Sequence, residues 1–139
     1  MTYATSQNLI ERYGVYELEQ VAPGELAGLV DEIRVIAALD DAHAEVNSYL
    51  GQRYGLPIQN VPAVLTAAVC DMARYYLYAH QATDEVKGRY NQRISWLKDI
   101  ANNKASLGAD EAGAGSSLKV AVVAGRGSRL FTRDTLTGF

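Results

Sequence analysis

Cysteine occurs once in these 139 residues, at Cys70, so no disulfide can form within the chain. A reducing compartment fits that usage, and zinc sites built on cysteine pairs are excluded. Histidine is nearly as scarce: His43 and His80 stand far apart and form no HExxH metal signature. No apolar run is longer than Val120 to Ala124, so no segment is expected to span a membrane. The start, Met1-Thr2-Tyr3-Ala4-Thr5, lacks the basic and then apolar layout of a signal peptide. A basic excess is missing too: 13 Lys and Arg face 16 Asp and Glu, a formal net of −3, which argues against a general nucleic-acid binder.

What is present is a chain of single-domain length, able to bury about two-thirds of its extended surface without staples. Its 48% hydrophobic and 21% charged residues are globular values. The charge is unevenly placed. Residues 1–111 hold 9 basic and 15 acidic residues, whereas residues 112–139 hold 4 and 1, so an acidic body carries a basic tail. Nine tyrosines against two phenylalanines is an unusual ratio. A tyrosine joins an apolar ring to a polar tip, which suits the half-buried edge of a core first and an interface second.

Periodicity predicts an all-α body. Thr5 or Ser6 caps a short helix with the stripe Leu9, Ile10 and Tyr13, ended by Gly14, and Val15 to Val21 adds another turn. Pro23-Gly24 marks a turn. A long helix from near Asp31 to Tyr54 carries the stripe Ile36, Leu39, Val46, Leu50 and Tyr54, with Asp40, Asp41, Glu45 and Gln52 opposite; Gly55 and Pro57 close it. Pro62 opens a third helix with Leu65, Val69, Met72, Ala73, Tyr76 and Leu77 at helical spacing, slim enough at its alanines to lie centrally and ending at His80-Gln81-Ala82. Thr83 caps a fourth, whose stripe is Val86, Tyr90, Ile94, Leu97 and Ile100 or Ala101, with Lys87, Arg89, Arg93 and Lys98 off it. The expectation is a four-helix bundle over residues 1–107. A flexible Gly/Ser linker follows at 108–117, then an extended, partly β C-terminal tail at 118–139. A lone hairpin is marginal in water, so that tail is expected to order on the body, a neighbouring copy or a partner.

Tests for chemistry come back bland. Asp41 and Glu45 share a helix face, but a metal or acid–base site needs a third group, so a solvated acidic face is favoured. His43 reads as a boundary histidine able to pair with Asp40, and His80 as a partner of a helix end. Cys70 and His80 lie about 15 Å apart along one helix and cannot form a nucleophile pair, so Cys70 reads as a small buried hydrophobe. Gly125-Arg126-Gly127-Ser128 resembles an anion nest but lacks the P-loop lysine and a following helix, so a plain turn is favoured. With no nucleophile elbow and no dinucleotide fingerprint, neither an enzyme nor a cofactor is expected.

Several blocks in a fixed order carry a resemblance. They are Tyr3-Ala4-Thr5 with Asn8-Leu9-Ile10-Glu11-Arg12-Tyr13-Gly14, and the run Ala42 to Tyr54, with Ser48-Tyr49-Leu50-Gly51-Gln52-Arg53-Tyr54 at its end, followed by Leu56-Pro57. Next come Val61-Pro62-Ala63-Val64-Leu65, Asp71 to Tyr78, Arg89-Tyr90 and Trp96 to Ala101. Leu107-Gly108 and the closing Arg129-Leu130-Phe131-Thr132-Arg133-Asp134-Thr135-Leu136 with Gly138-Phe139 complete the set. Together they resemble the small head-completion, or head–tail adaptor, proteins of Mu-like tailed phages and prophages. The resemblance implies a helical adaptor forming a homo-oligomeric ring, commonly of twelve copies, under the portal protein. Such a ring continues the DNA channel, lets genomic DNA pass without specific binding and docks a tail-side connector or tail terminator. It implies a place at the virion neck, reached from the host cytoplasm during assembly, and brings no catalytic residues. The interface residues expected on this reading are Leu118, Val120, Val122, Arg126, Arg129, Phe131, Arg133 and Phe139: a strand-forming run, two aromatic anchors and arginines for partner carboxylates. The competing function is a small DNA-binding regulatory protein, which the acidic body and the lack of a basic recognition helix oppose.

Overall fold

The structure, a computed structural model, describes residues 2–108. Within them the chain is helical: α1 (Ser6–Tyr13), α2 (Val15–Val21), α3 (Glu32–Leu50), α4 (Ala63–Tyr78) and α5 (Asp84–Ala101), with a single 3-10 turn at Ala79–Gln81. No strand forms among the described residues; one isolated antiparallel bridge joins Pro23 to Val30. The expected all-α body is therefore present, with five helices where four were expected. Apart from Gly108, the expected linker and tail lie outside the described residues.

Local chemistry sets the helix starts. Thr5 accepts from the Asn8 N–H, and the Asn8 side chain accepts from the Thr5 N–H at 2.8 Å, a reciprocal cap on α1. Asp31 accepts from the N–H groups of Ile33 and Arg34 at 3.1 and 3.2 Å and starts α3. Thr83 does the same for α5 through the Val86 N–H. Gly14, at φ +89°, ends α1 and opens α2 at once. That left-handed backbone, which glycine adopts without strain, is why Val15–Val21 becomes a separate helix instead of a continued turn.

α3, α4 and α5 pack mutually, and α1 lies against α3 and α4. The core runs through Leu9, Leu50, Leu65, Met72, Leu97 and Ile100, all fully buried. α4 is central, as its alanines suggested: Ala68 and Ala73 are fully buried along with Val69 and Cys70.

Two details of α3 differ from expectation. Its buried stripe is Val35, Ala38, Leu39, Ala42, Val46 and Leu50, while Ile36 stands 48% exposed. The side chain of residue 35 shares a face with Ala38 and Ala42 at helical spacing, and those small residues admit α4 closely. α3 also stops at Leu50, four residues early, with Gly51 at its C-cap. The chain then turns so that Arg53 donates to the carbonyls of Ile100 and Ala105, while Tyr54 is still buried.

Candidate interaction surfaces

All eight expected interface residues, Leu118, Val120, Val122, Arg126, Arg129, Phe131, Arg133 and Phe139, lie outside the described residues. What the body itself offers falls into two parts: polar groups committed to holding helices together, and an outer face that no described residue covers.

The committed groups centre on carboxylates. Asp71 of α4 is 4% exposed and accepts from the Tyr13 hydroxyl of α1 and, at 2.7 Å, from the Arg93 Nε of α5. Burial, the Asp71 hydrogen bond and its charge together push the Tyr13 hydroxyl pKa well above the ordinary tyrosine value. Glu17 of α2 accepts from Arg74 Nε and Nη2 at 2.9 and 2.6 Å and from the Tyr78 hydroxyl at 2.5 Å. The Arg74 guanidinium also lies 4.4 Å from the Tyr13 ring centroid. Glu45, expected on a solvated face with Asp41, instead accepts from the Tyr90 hydroxyl at 3.0 Å, and Tyr90 stacks on Tyr75 at 4.1 Å. The Tyr90 hydroxyl pKa is accordingly raised, by burial first and by Glu45 second.

His43 is half-buried, and its Nε2 accepts from the backbone N–H groups of Tyr3 and Ala4 at 3.0 and 3.2 Å. That role, pinning the N-terminal segment to α3, was not legible beside Asp40. Burial lowers its pKa, which suits an acceptor nitrogen. Cys70 is fully buried, its thiol pKa pushed up by burial to about 11, and His80 is exposed on the 3-10 turn. Among the described residues, no three His, Cys, Asp or Glu side chains gather closely enough to hold a metal ion. No helix among them is long and apolar enough to cross a membrane.

The outer face is different. Of eight large apolar side chains exposed among the described residues, six fall between Val15 and Ile36: Val15, Tyr16, Leu26, Leu29, Ile33 and Ile36. Residues 22–31 form a short hairpin: Gly24 N–H donates to the Leu29 carbonyl at 2.8 Å, and Asp31 N–H to the Ala22 carbonyl at 2.8 Å. Gly28, at φ +85°, turns its tip, where its N–H donates to Glu19 of α2 at 2.8 Å. The hairpin leaves Leu26 68% exposed, and Ile33 on the first turns of α3 is 81% exposed. Leu29 and Ile33 border one open groove with Pro23 and Glu25; Ile36 borders a second, between α3 and the N-terminal segment. Sequence reasoning missed this face. The available signal was that apolar residues 26, 29, 33 and 36 exceed what one buried stripe on α3 can absorb.

With this geometry in view, the relatives carry the identification. Residues 3–123 match the family described as bacteriophage Mu, Gp36. The chain belongs to that Gp36 family. It is 40% identical over 138 residues to the Mu-like prophage FluMu protein gp36 of Haemophilus influenzae, a match covering 99% of this chain and 97% of that protein. It is also 32% identical over 117 residues to gene product J of Escherichia phage Mu, covering 84% of this chain and 83% of that one. The Gp36-family match runs from residue 3 through the rest of the described body and on to residue 123, so the exposed hairpin and α3 face lie within the matched region.

Proposed function

We propose that this Gp36-family chain is a structural head–tail adaptor of a Mu-like phage. It forms a ring, of twelve copies on the family pattern, between the portal protein and a tail-side connector or tail terminator, at the neck of the virion. Genomic DNA passes the ring without specific binding, and an acidic wall limits adhesion of that polyanion. Residues 118–139 act as the arm that grips a neighbour or the portal, with Leu118, Val120 and Val122 available for strand addition. Arg126, Arg129 and Arg133 suit carboxylates, and Phe131 and Phe139 suit apolar pockets.

The observation that carries the reading is the near full-length kinship with phage Mu and prophage proteins, joined to a body whose polar interior is spent on packing. A part whose surface is apolar on one side suits assembly better than catalysis. The experiment is removal of residues 112–139 in a phage that depends on this gene. The expected result is heads that fill with DNA but bear no tails. Tail-bearing, infectious particles from that deletion would end the tail-docking role.

A further inference from the structure

The apolar face of the hairpin and early α3 is bordered by acidic groups. Glu25, Glu32 and Asp40 are exposed, and none of them makes an ion pair with a described residue. Between Val15 and Ala42 the chain has seven acidic residues and one basic residue, Arg34. Arg34 borders a different groove, beside Leu77 and Tyr78. The face therefore asks for an occupant that is apolar and positively charged together.

The chain contains one such segment. Residues 126–139 carry Arg126, Arg129 and Arg133 against Asp134 alone, interleaved with Leu130, Phe131, Leu136 and Phe139. We infer that this segment is the occupant, its aromatic and leucine side chains covering Leu26, Leu29, Ile33 and Ile36 while its arginines meet Glu25 and Glu32. The described residues end at Gly108, next to Leu107, whose N–H donates to the Tyr54 hydroxyl just beyond the C-terminal end of α3. The receiving face lies at the other end of α3, about 28 Å away for its length. Seventeen residues lie between Gly108 and Arg126, enough to span up to about 60 Å, so the segment reaches the face of its own copy or that of a neighbour. In a closed ring the same contact made between copies is heterologous, each arm on the next body, as ring formation requires.

The inference rests on the reading of residues 118–139 as an interaction arm. It is tested on the purified full chain, by placing a photo-crosslinking phenylalanine at Phe131 and mapping adducts by mass spectrometry. Adducts within Leu26 to Ile36 are expected, and gel mobility tells whether they join one chain or two; both support the contact. Glu25→Lys/Glu32→Lys should cut the yield at least about 3-fold, as should raising salt from about 0.05 M to about 0.5 M, because the charges stand in water. Adducts elsewhere on the body, none at all, or a yield indifferent to those changes would overturn it. A crosslinker at Ile33 supplies the counter-test: if its adducts fall on Ile33 and Leu29 of a second copy, the face pairs with itself and the arm is not its occupant. The particle assay above reads the adaptor role separately, so either idea can fail without the other.

Discussion

Asp71 offers the sharpest test of how the body is held together. Its carboxylate sits on α4, 4% exposed, and its two close donors come from α1 (Tyr13) and α5 (Arg93). Asp71→Ala strips both donors of their acceptor at once. A half-buried tyrosine hydroxyl left unpaired costs about 1–3 kcal/mol. Breaking a fully buried ion pair costs about 3–5 kcal/mol, but the Arg93 side chain is 28% exposed and can turn toward water, so its share is nearer 1 kcal/mol. The sum is about 3 kcal/mol, within the total of about 5–15 kcal/mol that a domain holds, so the variant should fold and be measurable. Asp71→Asn keeps an acceptor for Tyr13 and should lose about half as much. Urea unfolding followed by Trp96 fluorescence and by helical circular dichroism gives the numbers. A double-mutant cycle with Arg93→Ala should return a coupling of about 1–2 kcal/mol. If Asp71→Ala stays within about 0.5 kcal/mol of the parent, or the cycle shows no coupling, the three-helix tie is not what the geometry says it is.

Other outcomes follow from the same packing. Leu50→Ala, at a fully buried site, should cost about 2–5 kcal/mol in urea unfolding, whereas Tyr16→Ser should stay within about 0.5 kcal/mol, since Tyr16 is 77% exposed. Stability should fall on acidification through His43. Its folded pKa is lowered by burial, so the unfolded chain takes up the proton first; the contribution is complete above about pH 6.5 and is lost as pH falls below that. Thermal unfolding across that range should therefore be steeper for the parent than for His43→Ala, and equal slopes would refute it. Cys70, with its thiol pKa raised to about 11, should resist iodoacetamide at pH 8 in the folded protein and react once urea unfolds it.

The helix pattern was legible because caps and stripes are local. Thr5, Asp31 and Thr83 each sit at or beside the expected start, and α5 keeps Val86, Leu97 and Ile100 inside. Position 35 against 36 was not legible. Both are apolar, and only the approach of α4 against Ala38 and Ala42 decides which one is buried. The early stop at Gly51 was equally hidden, and so was the hold on the segment after it, where Arg53 donates to carbonyls 47 and 52 residues away. Arg93 was placed off the α5 stripe, correctly as a position, yet nothing local says that a buried carboxylate on another helix waits for it. Pairings across tens of residues carry no sequence period, which is why the polar interior and the exposed hairpin face both escaped notice.

The tyrosine excess and the acid excess turn out to be connected. Tyr13 donates to Asp71, Tyr78 to Glu17 and Tyr90 to Glu45, each joining two different helices. Tyr3 donates to Asn47 at 2.8 Å, and the Tyr54 hydroxyl accepts from the Leu107 N–H. A phenylalanine in those places would bury its ring as well but leave the carboxylates short of a donor, and a half-buried carboxylate tolerates that poorly. Part of the negative charge is thus internal, hydrogen-bonded by hydroxyls and, for Glu17 and Asp71, paired with Arg74 and Arg93. Asp31 is likewise spent, on the cap of α3. The charge that can act at a distance is what is left over, and Glu25, Glu32 and Asp40, which edge the apolar side chains of the hairpin and α3, belong to it. A basic partner segment therefore finds free carboxylates beside the apolar side chains that no described residue covers, whereas Asp71 and Glu17 in the interior already have partners.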